Sequence, residues 1–153
     1  MNFRTVRLGT DFHGTITDFA SARNSFLEKN EWVFFLDNDE EASKMLLDHI
    51  DSLKPTMPYY WIRRINLWNG RYRPLWNPEL VARLVSNRVR FAGRIHEKIV
   101  PRDPHGVIDF PIIHNHRGET NYRNYSHQNN RFYLYWLVFK KTGQLWKECL
   151  LRI

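Results

Sequence analysis

The stretch Glu31-Trp32-Val33-Phe34-Phe35-Leu36-Asp37-Asn38-Asp39-Glu40 decides the fold: a wholly apolar run, then an abrupt acidic turn. Five apolar residues are too few for an ordinary helix, and their aromatic and β-branched character favours a strand. A strand apolar on both faces lies in the middle of a covered sheet, the habit of α/β proteins. Upstream, Phe19, Ala22, Phe26 and Leu27 recur at helical spacing, with Thr17 or Asp18 as N-cap and Asn30-Glu31 closing the helix. Downstream, Met45, Leu46, His49 and Ile50 resume that spacing over Glu41–Leu53, and Pro55 and Pro58 stop it.

The rest of the chain reads mostly as strands. Tyr59–Trp68 alternates and ends in Asn69-Gly70, the strongest short hairpin signal, with a return strand over Arg71–Leu75. Leu80–Val85, Val89–Ile99 and Val107–Ile113 are further strand candidates, with turn chemistry at Ser86-Asn87. Thr120–Lys141 reads as a helix ending at Gly143 in the C′ position. No repeat, low-complexity tract or linker interrupts the chain, so one α/β or α+β domain over 1–153 is expected.

Composition narrows the function classes. With 42% hydrophobic and 25% charged residues among 153, the chain is long and apolar enough for a core, which excludes wholesale disorder. The single cysteine, Cys149, excludes an internal disulfide framework. The apolar runs Trp32–Leu36 and Phe132–Phe139 fall far short of a membrane span, and Met1–Gly14 lacks a hydrophobic signal region. A cytoplasmic protein, at most peripheral to a membrane, is the expectation. The net charge of +7 is unevenly spread: residues 1–54 carry six basic and ten acidic groups, residues 55–153 seventeen and six. The basic part calls for an anionic partner, whether nucleic acid, lipid headgroup or phosphorylated substrate, or else forms a solvated arginine-rich surface.

Four groups of residues are candidates for chemistry. In extended chain, residues i and i+2 point the same way, so Asp37 and Asp39 can converge on one hard cation at a strand's carboxyl end. Alternatively, Asn38 or Asp39 caps the next helix and Glu41 completes a capping box. His96-Glu97 lacks the second histidine of a zinc-protease motif; Glu97 serves either as a general base or as a surface partner of nearby arginines. His105, His114 and His116 are irregularly spaced for zinc. Aromatics interleaved with arginines over Tyr59–Arg73 and Arg90–Arg94 suit base stacking or an amphipathic sheet equally.

Taken in order, these residues resemble a known family. Asp18-Phe19-Ala20, Arg23-Asn24 and Trp32–Glu40 are followed by Arg64-Ile65-Asn66-Leu67-Trp68 and Arg83-Leu84-Val85. Phe91-Ala92-Gly93-Arg94-Ile95-His96-Glu97 and Ile113-His114-Asn115-His116 complete the series. The series resembles family-2 inverting glycosyltransferases of the GT-A fold, in the subgroup of bacterial lipopolysaccharide-core and cell-surface sugar transferases, over Asp18 to Tyr125. The resemblance implies a partial GT-A domain with a mixed sheet flanked by helices and a DxD motif. It implies that Asp39 with Asp37 holds Mg²⁺ or Mn²⁺ against the donor diphosphate. Arg23, Asn24 and Asp37 would lie near the nucleotide, His96 would contact metal or diphosphate, and Glu97 would deprotonate the acceptor hydroxyl. The partners implied are a nucleotide-sugar donor and a saccharide acceptor, with an anionic membrane surface nearby; nucleic acid is disfavoured. Nothing before Thr17 matches the family's nucleotide-binding strands, so the expectation is that one edge or face near Trp32–Leu36 is apolar and exposed, or covered by a partner chain that completes the nucleotide-binding half. The rival expectation is a non-catalytic basic module or partner subunit binding an anionic surface or nucleic acid.

Overall fold

The computed structural model describes residues 1–72, 77–94 and 97–116. The helix expected over 120–141, the end of the Arg71–Leu75 strand and His96 lie outside these residues. Trp32–Leu36 forms strand β2 as expected, and all five residues are buried. Alternation splits them between two cores. Val33 and Phe35 pack with Val6, Leu8, Leu27, Val85 and Phe91 on one face; Trp32, Phe34 and Leu36 pack with Leu46, Ile50, Ile62, Leu84 and Ile112 on the other. Burying each such side chain contributes about 1.5–3 kcal/mol, so this one strand organises both layers.

In chain order the elements are β1 (Arg4–Arg7), α1 (Leu8–Asp11), α2 (Phe19–Leu27), β2, β3 (Glu40–Ala42), α3 (Lys44–Ser52) and β4 (Tyr59–Trp68). Then come β5 (Arg71–Tyr72), β6 (Glu79–Ser86), β7 (Arg90–Ala92), β8 (Lys98–Val100) and β9 (Gly106–His116). The main sheet runs β1-β2-β6-β4-β9-β3, with β5 paired to β4. It is mixed: β1–β2 and β4–β9 are parallel, the other neighbours antiparallel. Helices α2 and α3 cover opposite faces through the two cores, giving an α/β domain. No helix among the described residues is long and apolar enough to cross a membrane.

Local chemistry accounts for the boundaries. Asp18 caps α2 by accepting the Ser21 amide at 2.9 Å. The Asn69-Gly70 turn has positive φ at both residues, 48° and 74°, as a two-residue hairpin requires. Gly106 has no room for a side chain, since a Cβ there would lie 2.3 Å from the Tyr60 ring.

Three expectations are corrected. The helix expected from Glu41 begins at Lys44, capped by Ser43, whose Oγ accepts the Leu46 amide at 3.1 Å; residues 40–42 form β3 instead. Neither Asn38 nor Asp39 is therefore a helix cap. The single strand over Val89–Ile99 is two, β7 and β8, paired through Phe91 and Ile99, because Gly93 turns the chain at φ 102°. And β2 has no bare edge: β1, from the segment that matched nothing, pairs with it in parallel on one side and β6 on the other.

Candidate functional site

The acidic turn closes on itself at the carboxyl end of β2. The Glu40 amide donates to the Asp37 carbonyl at 3.1 Å, and the Asp37 amide donates to Glu40 Oε2 at 3.0 Å. Arg7, at the end of β1, ties down both outward carbonyls: its Nη1 donates to Asp37 O at 2.7 Å and to Glu40 O at 2.8 Å. The turn is thus held by two bonds of its own and by Arg7 before any other side chain reaches it.

Three buried or nearly buried arginines then converge on its carboxylates. From β6, Arg83 Nη2 lies 2.5 Å from Asp37 Oδ2 and 2.7 Å from Glu40 Oε1. From β4, Arg64 reaches Glu40 Oε1 at 2.8 Å and Glu79 Oε2 at 2.6 Å. From the buried stripe of α2, Arg23 Nη2 stands 3.4 Å from Asp37 Oδ1, and its Nε donates to Glu97 Oε1 at 3.0 Å. Arg23 Nη1 is buried with no hydrogen-bond partner among the described residues. Its guanidinium lies 5.0 Å from the Phe35 ring centre and 5.6 Å from that of Phe91, whose π-faces offset that loss.

The electrostatics follow from burial. Enclosing Glu40 completely pushes its carboxyl upward, but the charge and hydrogen bond of Arg83, the Asp37 amide and Arg64 outweigh this and hold it below the usual carboxylate range. Burial likewise works against the charge on Arg83, and Asp37 and Glu40 more than restore it. Both groups are therefore charged at neutral pH.

A second constellation branches from the same turn. Asp39 Oδ2 lies 2.9 Å from His114 Nε2, and His114 Nδ1 lies 2.7 Å from Asn66 Oδ1. The Asn66 amide nitrogen reaches Glu79 Oε2 at 3.3 Å, so the two networks meet at Glu79.

The structure brings some of the residues expected from sequence together and separates others. Asp37 and Glu97 come together on one guanidinium, that of Arg23. Glu97 is only 17% exposed, and its arginine is neither Arg90 nor Arg94, the sequence neighbours expected to pair with it. Asp37 and Asp39 take separate partners, Arg83 and His114: the strand ends at Leu36, so two-residue alternation no longer governs the turn. Asn24 is committed to packing: its amide donates to Phe91 O at 2.9 Å and accepts from Phe91 N at 2.8 Å, clamping α2 to β7. His105 pairs with Asp103 at 3.1 Å, apart from the Asp39–His114 pair, so the zinc grouping does not form from these two. His96 lies outside the described residues.

Among the described residues, no group of three or more His, Cys, Asp or Glu side chains is placed to hold a metal by itself. A magnesium-type ion asks less, being held by one or two carboxylates plus substrate phosphates. Asp37 and Asp39, with 41% and 51% of their side chains exposed, supply that number of reachable carboxylates.

Sequence reasoning missed Glu40 as a hub, Arg7, and the roles of Arg64 and Arg83. One signal was available: Arg83 sits in Leu80–Val85 among apolar neighbours, and an arginine there must be buried with a counter-ion. In comparison with known proteins, no family model matches the chain, and no curated protein matches it.

Proposed function

We propose that this α/β domain is a glycosyltransferase of the family-2, GT-A kind, moving a sugar from a nucleotide-diphosphate donor to a saccharide hydroxyl with inversion. One observation carries the reading: Arg23 joins Asp37 to Glu97, residues of two separate motifs of the resemblance, 60 positions apart in the chain. A metal-side carboxylate and a base carboxylate at one place are what the reaction needs.

Asp37 and Asp39 would hold Mg²⁺ or Mn²⁺. The chemistry supplied by that ion is neutralisation of charge on the departing nucleoside diphosphate. Glu97 takes the proton of the acceptor hydroxyl; the freed oxygen forms its bond to the anomeric carbon as the bond to the diphosphate breaks on the opposite face. Arg23, donating to Glu97 Oε1 at 3.0 Å, orients that carboxylate before the acceptor arrives. Arg64 and Arg83 hold the turn from behind. The exposed Arg90, Arg94 and Arg102 offer positive charge that suits an anionic membrane or acceptor.

The test is release of nucleoside diphosphate from a panel of nucleotide sugars with Mn²⁺ or with chelator, using the wild type and Glu97→Gln. Metal-dependent turnover lost in the variant supports the reading. Steeply salt-dependent nucleic-acid binding that ignores metal, with no turnover, would favour the basic-module alternative.

A further inference from the structure

Glu40 is the most enclosed acidic group in the cluster, with its side chain 0% exposed, and no step above uses it. Its Oε1 accepts from Arg64 and Arg83, and its Oε2 accepts the amide of Asp37. The same Arg83 nitrogen that binds Glu40 lies 2.5 Å from Asp37 Oδ2. Glu40 therefore reaches Asp37 twice, once through its backbone and once, by way of Arg83, through its carboxylate.

The charge balance gives this geometry a consequence. Without Glu40, Arg83 would be a buried cation with Asp37 as its only carboxylate, and would grip that carboxylate at full strength. With Glu40 in place, Arg83 is already neutralised, and the half-exposed Asp37 keeps charge to offer elsewhere. We propose that Glu40 is a positioning residue for Asp37: it fixes where that carboxylate stands and leaves its charge available to a divalent cation. The second half rests on the reading of Asp37 as a cation ligand; the first does not.

The experiment compares Glu40→Gln with Arg64→Met. Both remove a partner of the buried carboxylate, but Arg64 makes no contact with Asp37 and its loss leaves the Glu40–Arg83–Asp37 chain intact. Mn²⁺ alone is titrated and followed by its paramagnetic resonance signal, beside thermal unfolding. Glu40→Gln should weaken Mn²⁺ binding about tenfold or more, while Arg64→Met, comparably destabilised, stays within about threefold. Equal weakening in both variants, or none in either, overturns the proposal.

If the wild type binds no Mn²⁺, the cation reading fails by itself, and the carbon-13 shift of the Asp37 carboxyl tests the positioning. That shift should move in Glu40→Gln and hold in Arg64→Met; no movement in the former overturns it. Should Glu40→Gln not fold, the double variant Glu40→Gln, Arg64→Gln removes one anion with one cation and is read the same way.

Discussion

Replacing Arg83 with methionine isolates the energetics of the buried cluster. The substitution keeps much of the volume while removing the cation between Asp37 and Glu40. Asp37 is 41% exposed, so water replaces most of what it loses. Glu40 has no such recourse: it keeps only Arg64 at 2.8 Å and the Asp37 amide at 3.0 Å. Removing one member of a buried pair costs about 3–5 kcal/mol. At about 2–4 °C per kcal/mol for a chain of this size, the thermal midpoint should fall by about 6–20 °C at pH 7. The pH dependence separates charge from packing. In the wild type the Glu40 carboxyl is held below its ordinary value of 4.5, so its contribution is present above that pH and is lost as pH falls through the folded value. Without Arg83, burial pushes the same carboxyl upward, and protonating it relieves the strain. The deficit of the variant should therefore be largest near neutral pH and shrink as pH falls towards 5. Thermal unfolding by circular dichroism from pH 5 to 8 on both proteins measures this. A deficit independent of pH, or below about 2 °C throughout, would show that the ion pairs do not hold the turn as argued.

Asp39→Asn should abolish Mn²⁺-dependent nucleoside diphosphate binding by calorimetry, yet change stability by less than about 1 kcal/mol, since Asn still offers His114 an acceptor at a half-exposed position. Glu97→Gln should lower turnover by about 10²–10⁴-fold, measured as nucleoside diphosphate release, because the proton acceptor is lost. Asn24→Ala strips both hydrogen bonds from the Phe91 backbone and should cost about 1–3 kcal/mol in urea unfolding. With packing as the role of Asn24, nucleotide affinity in that variant stays at the wild-type value; a parallel fall in affinity would put the amide back in the binding site.

What the sequence revealed and what it hid divide along a physical line. Local signals were legible: the apolar run became β2, the Asn69-Gly70 dipeptide became a hairpin, and Asp18 became a cap. Glu41 and Ala42 were misread as helix because helical spacing and a short extended segment look alike over so few residues; pairing with β9 decides between them. β1 was invisible for a similar reason, since Arg4-Thr5-Val6-Arg7 has a single buried residue and is a strand by virtue of β2 beside it. In the site, the acidic turn and Glu97 announced themselves by charge. That Arg23 rather than Arg90 or Arg94 would meet Glu97 could not be read from spacing, because that pairing joins residues 74 apart in the chain.

The distances along the chain between the partners carry a kinetic consequence. Arg23 and Glu97 are 74 residues apart, Asp39 and His114 are 75, and Arg83 stands 46 from Asp37. Contacts of such separation form late, after long loops have been closed, and chains rich in them fold slowly. The ion pairs at the acidic turn therefore report on completed assembly: their formation in a refolding experiment should trail the appearance of helix signal from α2 and α3. A nascent chain stopped before His114 has the turn, and even Arg83, without the full set of partners around it. The same holds for a cut anywhere between Arg23 and His114, which would leave two pieces each holding charged groups meant for the other.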